Sequence, residues 1–196
     1  MKKVILASAS KRRSDILDSC GIEHIIVISD IEEKTGKGKN VSDTVLTNAA
    51  RKTEKVSREA EKAVVIGADT LVVHGEEVLG KPQDENAARR MLSKFSGTEV
   101  EVYTGLCVID TDTGKKAKGF EKSSLEVVPL SGEQVERYFR LLGPYDKAGG
   151  FTIEGIGSLI FDNIKGSFYN ILGLPMIKLK EMFKELGLDI LDFVKT

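Results

Sequence analysis

The sequence has few of the residues that build metal centres or disulfide frameworks. Its two cysteines, Cys20 and Cys107, are far apart in the sequence, and Cys107 lies between apolar residues. We therefore expect buried thiols in a reducing compartment rather than a disulfide. His24 and His74 are the only histidines, and neither an H-x-x-x-H nor a C-x-x-C spacing occurs. A zinc site is not expected from such a pattern.

Net charge and long apolar runs are also lacking. The 29 Lys and Arg residues nearly cancel the 30 Asp and Glu residues, so the overall charge does not indicate a nucleic-acid or membrane surface. Only a short apolar run follows Met1-Lys2-Lys3, and no stretch approaches transmembrane length. We expect a cytoplasmic protein without nucleic-acid or membrane partners. The 196 residues are enough for one sizeable core or two small lobes.

Hydrophobic periodicity predicts a mixture of strands and helices. Strands are expected over residues 4–7, 22–28, 63–73, 99–109 and 119–128, with more strand between 151 and 160. Helices are expected over residues 10–19, 42–62, 84–95, 131–142 and 176–186, with a mobile loop at 35–40 and a turn at 163–167. Several hairpins accompany the helices, so the predicted fold class is α/β with a mixed sheet and flanking helices.

The stretch from Leu6 to Arg13 predicts a strand, a tight turn and the start of a helix. A helix N-terminus offers unpaired N–H groups and a partial positive charge. Ser8 and Ser10 add hydroxyl groups, and Ser10 is placed to cap the helix. Arg12 and Arg13 add forked cationic donors that suit phosphate oxygens. Such a turn can hold a polyphosphate, although a capped helix with solvent-facing arginines has the same pattern.

Carboxylates follow two of the predicted strands. Asp69 lies in an apolar stretch after Gly67-Ala68, which predicts a carboxylate at a strand edge or bulge that binds a cation or accepts a proton. The alternative is an aspartate that closes a turn. Glu32 and Glu33 end another strand, and clustered carboxylates suit Mg²⁺, although a solvated acidic loop is the more usual case.

Further polar residues are candidates for contacts with a ligand. Lys81 is held between Gly80 and Pro82, which restricts its backbone, whereas Lys52 lies on a helix, where most lysines are solvated. Lys147 and Glu154 flank Phe151 in a glycine-rich region, where an aromatic ring could stack on a base. A surface lysine and a plain loop are the alternatives.

Eight short motifs carry a resemblance to a known family. They are S-x-S-x-R-R, E-E, G-A-D-T, G-K-P, S-G, Y-T-G, D-K-A-G and G-L-P, in this order over nearly the whole chain. The sequence resembles the Maf family, which was named for septum formation. It contains no G-x-x-x-x-G-K-[ST] phosphate loop.

The resemblance implies a nucleoside triphosphate pyrophosphatase that cuts between the α- and β-phosphates and uses Mg²⁺ or Mn²⁺. It implies one domain over residues 1–196, with an elongated mixed sheet, flanking helices and two lobes around a central cleft, as in the inosine triphosphatases. A homodimer is expected by analogy. By matching positions, Asp69 would accept the proton, and Glu33 would place the metal with Asp69. The triphosphate would be bound by Ser8, Arg12, Arg13, Lys52 and Lys81.

The positions that discriminate between family types are mixed. Arg12 and Thr70 match the members that act on dTTP and UTP. Glu154, with Lys147 near it, departs from the glutamine of that type and resembles the sister type, which prefers 7-methyl-GTP. The alternatives are therefore a 7-methyl-GTP/CTP-preferring pyrophosphatase and a non-catalytic nucleotide-binding regulator of cell division. A nucleic-acid module built on Arg12 and Arg13 is disfavoured by the near-neutral charge.

Overall fold

A computed structural model of the chain describes residues 2–35, 40–142 and 151–195. The order of the helices and strands agrees with most of the sequence prediction, and the structure adds a short strand over Glu77–Leu79 and a short helix over Phe168–Ile171. The strands are β1 (Lys3–Leu6), β2 (His24–Ile26), β3 (Ala63–His74), β4 (Glu77–Leu79), β5 (Glu99–Asp110), β6 (Lys116–Val127) and β7 (Phe161–Lys165). The α-helices are α1 (Lys11–Ser19), α2 (Val41–Ser57), α3 (Glu85–Phe95), α4 (Gly132–Leu142), α5 (Phe168–Ile171) and α6 (Met176–Glu185). Short 3₁₀ helices cover Gly155–Ile160 and Ile190–Phe193.

The strands form one seven-stranded mixed sheet. Its order is β2-β1-β3-β5-β6-β7, and β4 pairs with β3. Strand β1 is parallel to both β2 and β3, whereas β4 is antiparallel to β3 and β7 is antiparallel to β6. A mixed sheet with flanking helices confirms the predicted α/β class.

The chain divides into two compact units. The first comprises residues 1–70, 103–121 and 169–196. Residues 4–6 of β1 and 63–66 of β3 are buried, which explains the uninterrupted apolar run Ala63–Ile66, whereas the edge strand β2 is exposed at Ile25 and Ile26. Helix α2 covers these strands, and Val45, Ala49 and Val56 of the helix are buried.

The second unit comprises residues 71–102 and 122–168. Aromatic rings fill its core, where Phe151 lies 6.2 Å from Phe95 and 5.4 Å from Phe161 between ring centroids. The predicted capping box of α4 is present, because the Ser131 N–H donates to Gln134 Oε1 and the Gln134 N–H donates to Ser131 Oγ.

The strand predicted between residues 151 and 160 is wrong. That segment contains the 3₁₀ helix Gly155–Ile160, and β7 then occupies most of the predicted turn at 163–167. Gly155 has a φ of 57°, and a Cβ on Gly157 would lie 2.1 Å from the Thr152 carbonyl oxygen. The chain therefore folds back on itself here, which an extended strand cannot do.

Three helix and strand ends also differ from the prediction. Asn40, not Ser42 or Asp43, caps α2 by accepting from the Ser42 N–H, and the helix ends at Ser57 rather than near residue 62. Ser10 occupies the cap position of α1 without a side-chain cap bond, and its backbone N–H donates to Ser8 Oγ. The predicted strand 22–28 shortens to His24–Ile26. Of the loop expected at 35–40, residues 36–39 lie outside the described residues.

Both cysteines are free thiols, as predicted. Cys107 is buried, and burial raises the pKa of its thiol to about 11, whereas Cys20 is only half-buried. Within the described ranges, no helix combines the length and the apolar character needed to cross a membrane.

Candidate functional site

The candidate site is centred on Asp69, in the first unit. Strand β1 pairs with β3 from Lys3 opposite Ala63 to Leu6 opposite Ile66, so Asp69 lies three residues beyond the last pair. Asp69 belongs to strand β3, which lies between β1 and β5 in the sheet, and the expected bulge or strand edge stays a prediction. The side chain is 4% exposed. Open α/β sheets bind ligands near the carboxyl ends of their parallel strands, and Asp69 lies beyond the carboxyl end of the neighbouring strand β1.

Both carboxylate oxygens of Asp69 are bound by helix α2. Lys52 Nζ donates to Oδ1 at 2.8 Å, and Asn48 Nδ2 donates to Oδ2 at 2.8 Å. Lys52 is buried as well, contrary to the expectation that a lysine on this helix is solvated. A buried carboxylate is tolerated when it is paired and hydrogen-bonded, and the two α2 side chains supply these contacts and fix the orientation of Asp69.

Glu33 binds the same ammonium group as Asp69. Its Oε1 lies 2.7 Å from Lys52 Nζ, and its side chain is 56% exposed. Two carboxylates therefore converge on one nitrogen, with Asp69 on the buried side and Glu33 on the exposed side. Among residues 2–35, 40–142 and 151–195, no group of three or more His, Cys, Asp or Glu side chains forms a metal cluster.

The two carboxylates suit a hard divalent cation that is only partly held by protein. Mg²⁺ is usually bound by one or two carboxylates, with substrate phosphates and water completing its shell. Glu33 and Asp69 supply that number of oxygen ligands at one place. The donor set therefore fits the predicted cation, with Lys52 between the carboxylates.

Two glycines of the sequence motifs allow α2 to approach the sheet. A Cβ on Gly67 would lie 2.1 Å from Thr53 Oγ1, and a Cβ on Gly105 would lie 2.4 Å from the carbonyl carbon of Val45. Neither glycine has a positive φ, so both are required for space rather than for backbone freedom. Close packing of the helix is what places Asn48 and Lys52 within reach of Asp69.

Arg13 forms hydrogen bonds with residues of three sequence motifs, S-x-S-x-R-R, G-A-D-T and G-L-P. Its Nε donates to the Gly173 carbonyl at 2.8 Å, one terminal nitrogen donates to Ser8 Oγ at 2.8 Å, and the other donates to Thr70 Oγ1 at 2.9 Å. The guanidinium is buried, and this burial lowers its pKa, while the charges of Asp69 and Glu33 oppose that shift. An arginine has five N–H donors, so these contacts use three of them.

The hydroxyl groups around Arg13 form a connected network. Thr70 Oγ1 is 2.9 Å from Thr104 Oγ1, which donates to the Asn170 carbonyl at 3.1 Å. Ser8 Oγ accepts from Arg13 and from the Ser10 N–H, which directs its own O–H away from these donors. Arg12 is half-buried in the first turn of α1.

The structure brings most of the predicted site residues together, within the first unit. These are Ser8, Arg13, Glu33, Lys52, Asp69 and Thr70. Contacts join them in two groups, one around Arg13 and one around Lys52, and the two groups meet in the chain at the neighbouring residues Asp69 and Thr70. Lys81 and Glu154 belong to the second unit, and both are exposed. Glu154 lies two residues after Thr152, and its N–H donates to Thr152 Oγ1 at 3.3 Å. Lys147 lies outside the described residues.

Sequence reasoning missed Asn48, Thr104 and the packing role of the motif glycines. For Asn48 a signal exists, because residues 45, 48, 49, 52, 53 and 56 repeat at helical spacing and form the buried face of α2. A polar asparagine and a lysine on that face predict a buried polar site rather than solvated residues.

Comparison with known proteins gives a full-length match. Residues 3–186 match the sequence profile of the family described as Maf-like protein. A dTTP/UTP pyrophosphatase of Caldicellulosiruptor bescii is 40% identical, over 97% of this chain and 98% of the relative. A dTTP/UTP pyrophosphatase of Desulforamulus reducens is 37% identical, over 97% of this chain and 100% of the relative.

The chain is also similar to solved structures. A nucleoside-triphosphatase, named as a dITP/XTP pyrophosphatase, from Mycobacterium abscessus overlaps 65% of this chain and 75% of its own, with a TM-score of 0.37 and 13% identity. A TM-score of 0.37 is too low to support a fold assignment, so the likeness to inosine triphosphatases stays a prediction from the sequence.

Proposed function

The chain belongs to the family of Maf-like proteins, and we propose that it is a pyrophosphatase that hydrolyses dTTP and UTP to the monophosphate and pyrophosphate. The observation that carries the proposal is the buried Asp69 carboxylate, fixed by Lys52 and Asn48 and sharing Lys52 with Glu33. Full-length relatives at 37–40% identity that carry the name dTTP/UTP pyrophosphatase support it.

In the proposed reaction, Asp69 accepts a proton from the water that attacks the α-phosphorus. A carboxylate whose oxygens are both held in place is pre-oriented for general-base work. Glu33 and Asp69 would hold the divalent cation, Mg²⁺ or Mn²⁺, which supplies charge neutralisation for the triphosphate when it is bound.

The cationic and hydroxyl groups bind the triphosphate in this proposal. Ser8, Arg12, Lys52 and Lys81 contact phosphate oxygens, and Arg13 adds its charge while it holds Ser8 in place. Pyrophosphate is a highly charged leaving group, so fixed positive charges around it lower the barrier.

The base specificity rests on Arg12, Thr70, Glu154 and Lys147. Arg12 and Thr70 favour dTTP and UTP, and Arg13 fixes the hydroxyl of Thr70. Glu154 favours a second candidate function, a pyrophosphatase for CTP or 7-methyl-GTP, because an ionised carboxylate only accepts hydrogen bonds. It can accept from the N3–H of uracil or thymine, but the two carbonyls of those bases need a donor, for which Lys147 is the candidate nearest in sequence.

The cytoplasmic location, the homodimer and the absence of nucleic-acid and membrane partners stay proposals made from the sequence. None of them enters the proposed chemistry, which needs only the nucleotide, water and the cation.

The proposal is tested by measuring pyrophosphate release from dTTP, UTP, CTP and 7-methyl-GTP with Mg²⁺. We expect the highest kcat/KM for dTTP and UTP. Tight nucleotide binding without turnover would instead support the non-catalytic regulator, and a preference for CTP or 7-methyl-GTP would support the second candidate.

The same four nucleotides, measured with Glu154→Gln, test the specificity assignment. Glutamine both donates and accepts hydrogen bonds. If residue 154 forms one polar contact with the base that is buried in the complex, the preference for UTP over CTP should rise by about 1–3 kcal/mol. Identical ratios in the two proteins would show that Glu154 does not read the base.

A further inference from the structure

Side chains on one face of α2 form hydrogen bonds with the backbone of the segment that carries Glu33. Lys55 Nζ donates to the Asp30 carbonyl at 2.6 Å, and Arg51 donates to the Glu32 carbonyl at 2.8 Å. Asn48 accepts from the Lys34 N–H at 3.0 Å and donates to the Lys34 carbonyl at 2.9 Å. Positions 48, 51 and 55 share a helix face. The helix therefore binds the backbone of residues 30–34 at alternate peptide groups.

Asn48 is the member of this face that also reaches Asp69. Its side chain is fully buried, and Nδ2 donates to Asp69 Oδ2 at 2.8 Å in addition to the Lys34 carbonyl. A carboxamide has two N–H donors and one carbonyl oxygen. Both donors and the acceptor are used, so the orientation of the amide is fixed by its surroundings.

These contacts connect the two carboxylates of the site through one side chain. Asn48 holds Asp69 directly, and it holds Glu33 through the backbone of the next residue, Lys34. Lys52, one helical turn further along, binds the side chains of both carboxylates. A single turn of α2 therefore sets the separation of Glu33 and Asp69.

We propose that Asn48 is a positioning residue that fixes Asp69 and the Glu33 segment relative to each other. The inference rests on the proposed function for its catalytic consequence, because it assigns these two carboxylates to the reaction. Outer residues that orient metal-binding or catalytic groups typically change activity about 10–100-fold when they are replaced.

The side-chain chemistry separates the two contacts of Asn48. Asn48→Asp keeps an oxygen to accept from the Lys34 N–H, but it loses both donations and places a second carboxylate beside Asp69. Asn48→Ala loses every contact. Thr47→Ala removes a half-buried side chain from the same turn and serves as the matched control.

The experiment compares these three variants with the unchanged chain in two measurements. Steady-state kinetics with dTTP give kcat and KM, and amide hydrogen exchange by NMR reports the Lys34 N–H. For both Asn48 variants we expect kcat to fall about 10–100-fold. KM should change little, because the lost contacts act on the chemical step rather than on the binding of dTTP. Exchange at Lys34 should accelerate in Asn48→Ala and stay slow in Asn48→Asp.

The combination decides whether Asn48 positions Asp69. A kcat for Asn48→Asp equal to that of Thr47→Ala would overturn the proposal, because the Asp69 contact would then be unimportant. Unchanged Lys34 exchange in Asn48→Ala would overturn the role in holding the segment. If the unchanged chain hydrolyses no nucleotide, the proposed function fails, whereas the exchange measurement still tests the structural link.

Discussion

At the scale of single residues, the contacts of a charged side chain decide its role. Asp69 interrupts an apolar strand, so its importance could be predicted from the sequence. The partners of Asp69 could not be predicted in the same way, because Lys52 and Asn48 come from a helix about twenty residues earlier in the chain, and contact between distant segments depends on packing. Glu33 is one of two adjacent glutamates. The family resemblance selects Glu33 by its position, and in the structure the side chain of Glu33 binds Lys52.

Asp69→Asn tests the proposed general base. The substitution keeps the shape of the side chain but removes the negative charge that accepts a proton. Loss of a general base typically lowers the rate about 10²–10⁴-fold. We expect kcat for dTTP to fall in that range, while part of the nucleotide binding is retained, and we would measure both by kinetics and calorimetry.

Thermal unfolding provides the control for Asp69→Asn. A variant that melts cooperatively and binds nucleotide, but turns over slowly, supports the assigned role. A kcat close to that of the unchanged chain would show that another group takes the proton.

Arg13 shows why a phosphate-binding motif predicted from sequence needs a structure. The sequence predicts two equivalent arginines, but the guanidinium of Arg13 is buried and donates to Gly173, Ser8 and Thr70. A buried arginine with three protein partners acts on a ligand mainly through its charge and through the groups it holds. Adjacent residues on a helix point in different directions, which a linear motif does not reveal.

At the scale of secondary-structure elements, the packing of α2 against β3 and β5 creates the site. Gly67 and Gly105 lie where the helix crosses the strands, and neither position has room for a side chain. The motifs that contain them were recognised in the sequence, but a glycine required for close approach looks the same there as a glycine required for a turn.

Gly67→Ala tests this packing. The added Cβ would lie 2.1 Å from Thr53 Oγ1 and 2.8 Å from the Ala49 carbonyl oxygen, so the helix must shift. Overpacking of a core typically costs about 1–3 kcal/mol of unfolding free energy. We expect a loss of this size in urea denaturation, together with a lower kcat, because Lys52 and Asn48 move with the helix.

Gly132→Ala is the matched control for this substitution. Gly132 begins α4, and a Cβ there would meet nothing within 4 Å. A glycine-to-alanine change at a compatible site stabilises a protein by about 0.4–1 kcal/mol. Equal stability of the two variants would contradict the packing role of Gly67.

The same scale explains the failed prediction for residues 151–160. Phe151, Ile153 and Ile160 are buried apolar residues with good strand propensity, but the chain between them folds into a 3₁₀ helix. Propensity is local, whereas the contact of Gly157 with Thr152 is a property of the folded segment. The capping box at Ser131 was predictable because its signal lies within four residues.

At the scale of the whole molecule, the sequence predicts the fold class but not the order of the strands. Two compact units are present, and the chain passes from one to the other within β3, β5, β6 and α5. The hydrophobic periodicity of a long strand does not show that its two halves belong to different units. The single domain with a cleft between two lobes, and the place of Lys81 and Glu154 in it, stay predictions.

The central claim is that this molecule attacks the α-phosphorus of a nucleoside triphosphate and releases pyrophosphate. Hydrolysis of dTTP with Mg²⁺ in ¹⁸O-enriched water, followed by mass spectrometry of both products, tests it most directly. The attacking water stays with the phosphorus it attacks, so the account predicts ¹⁸O in the monophosphate and none in pyrophosphate. Label in pyrophosphate alone, or release of labelled inorganic phosphate, would contradict the account.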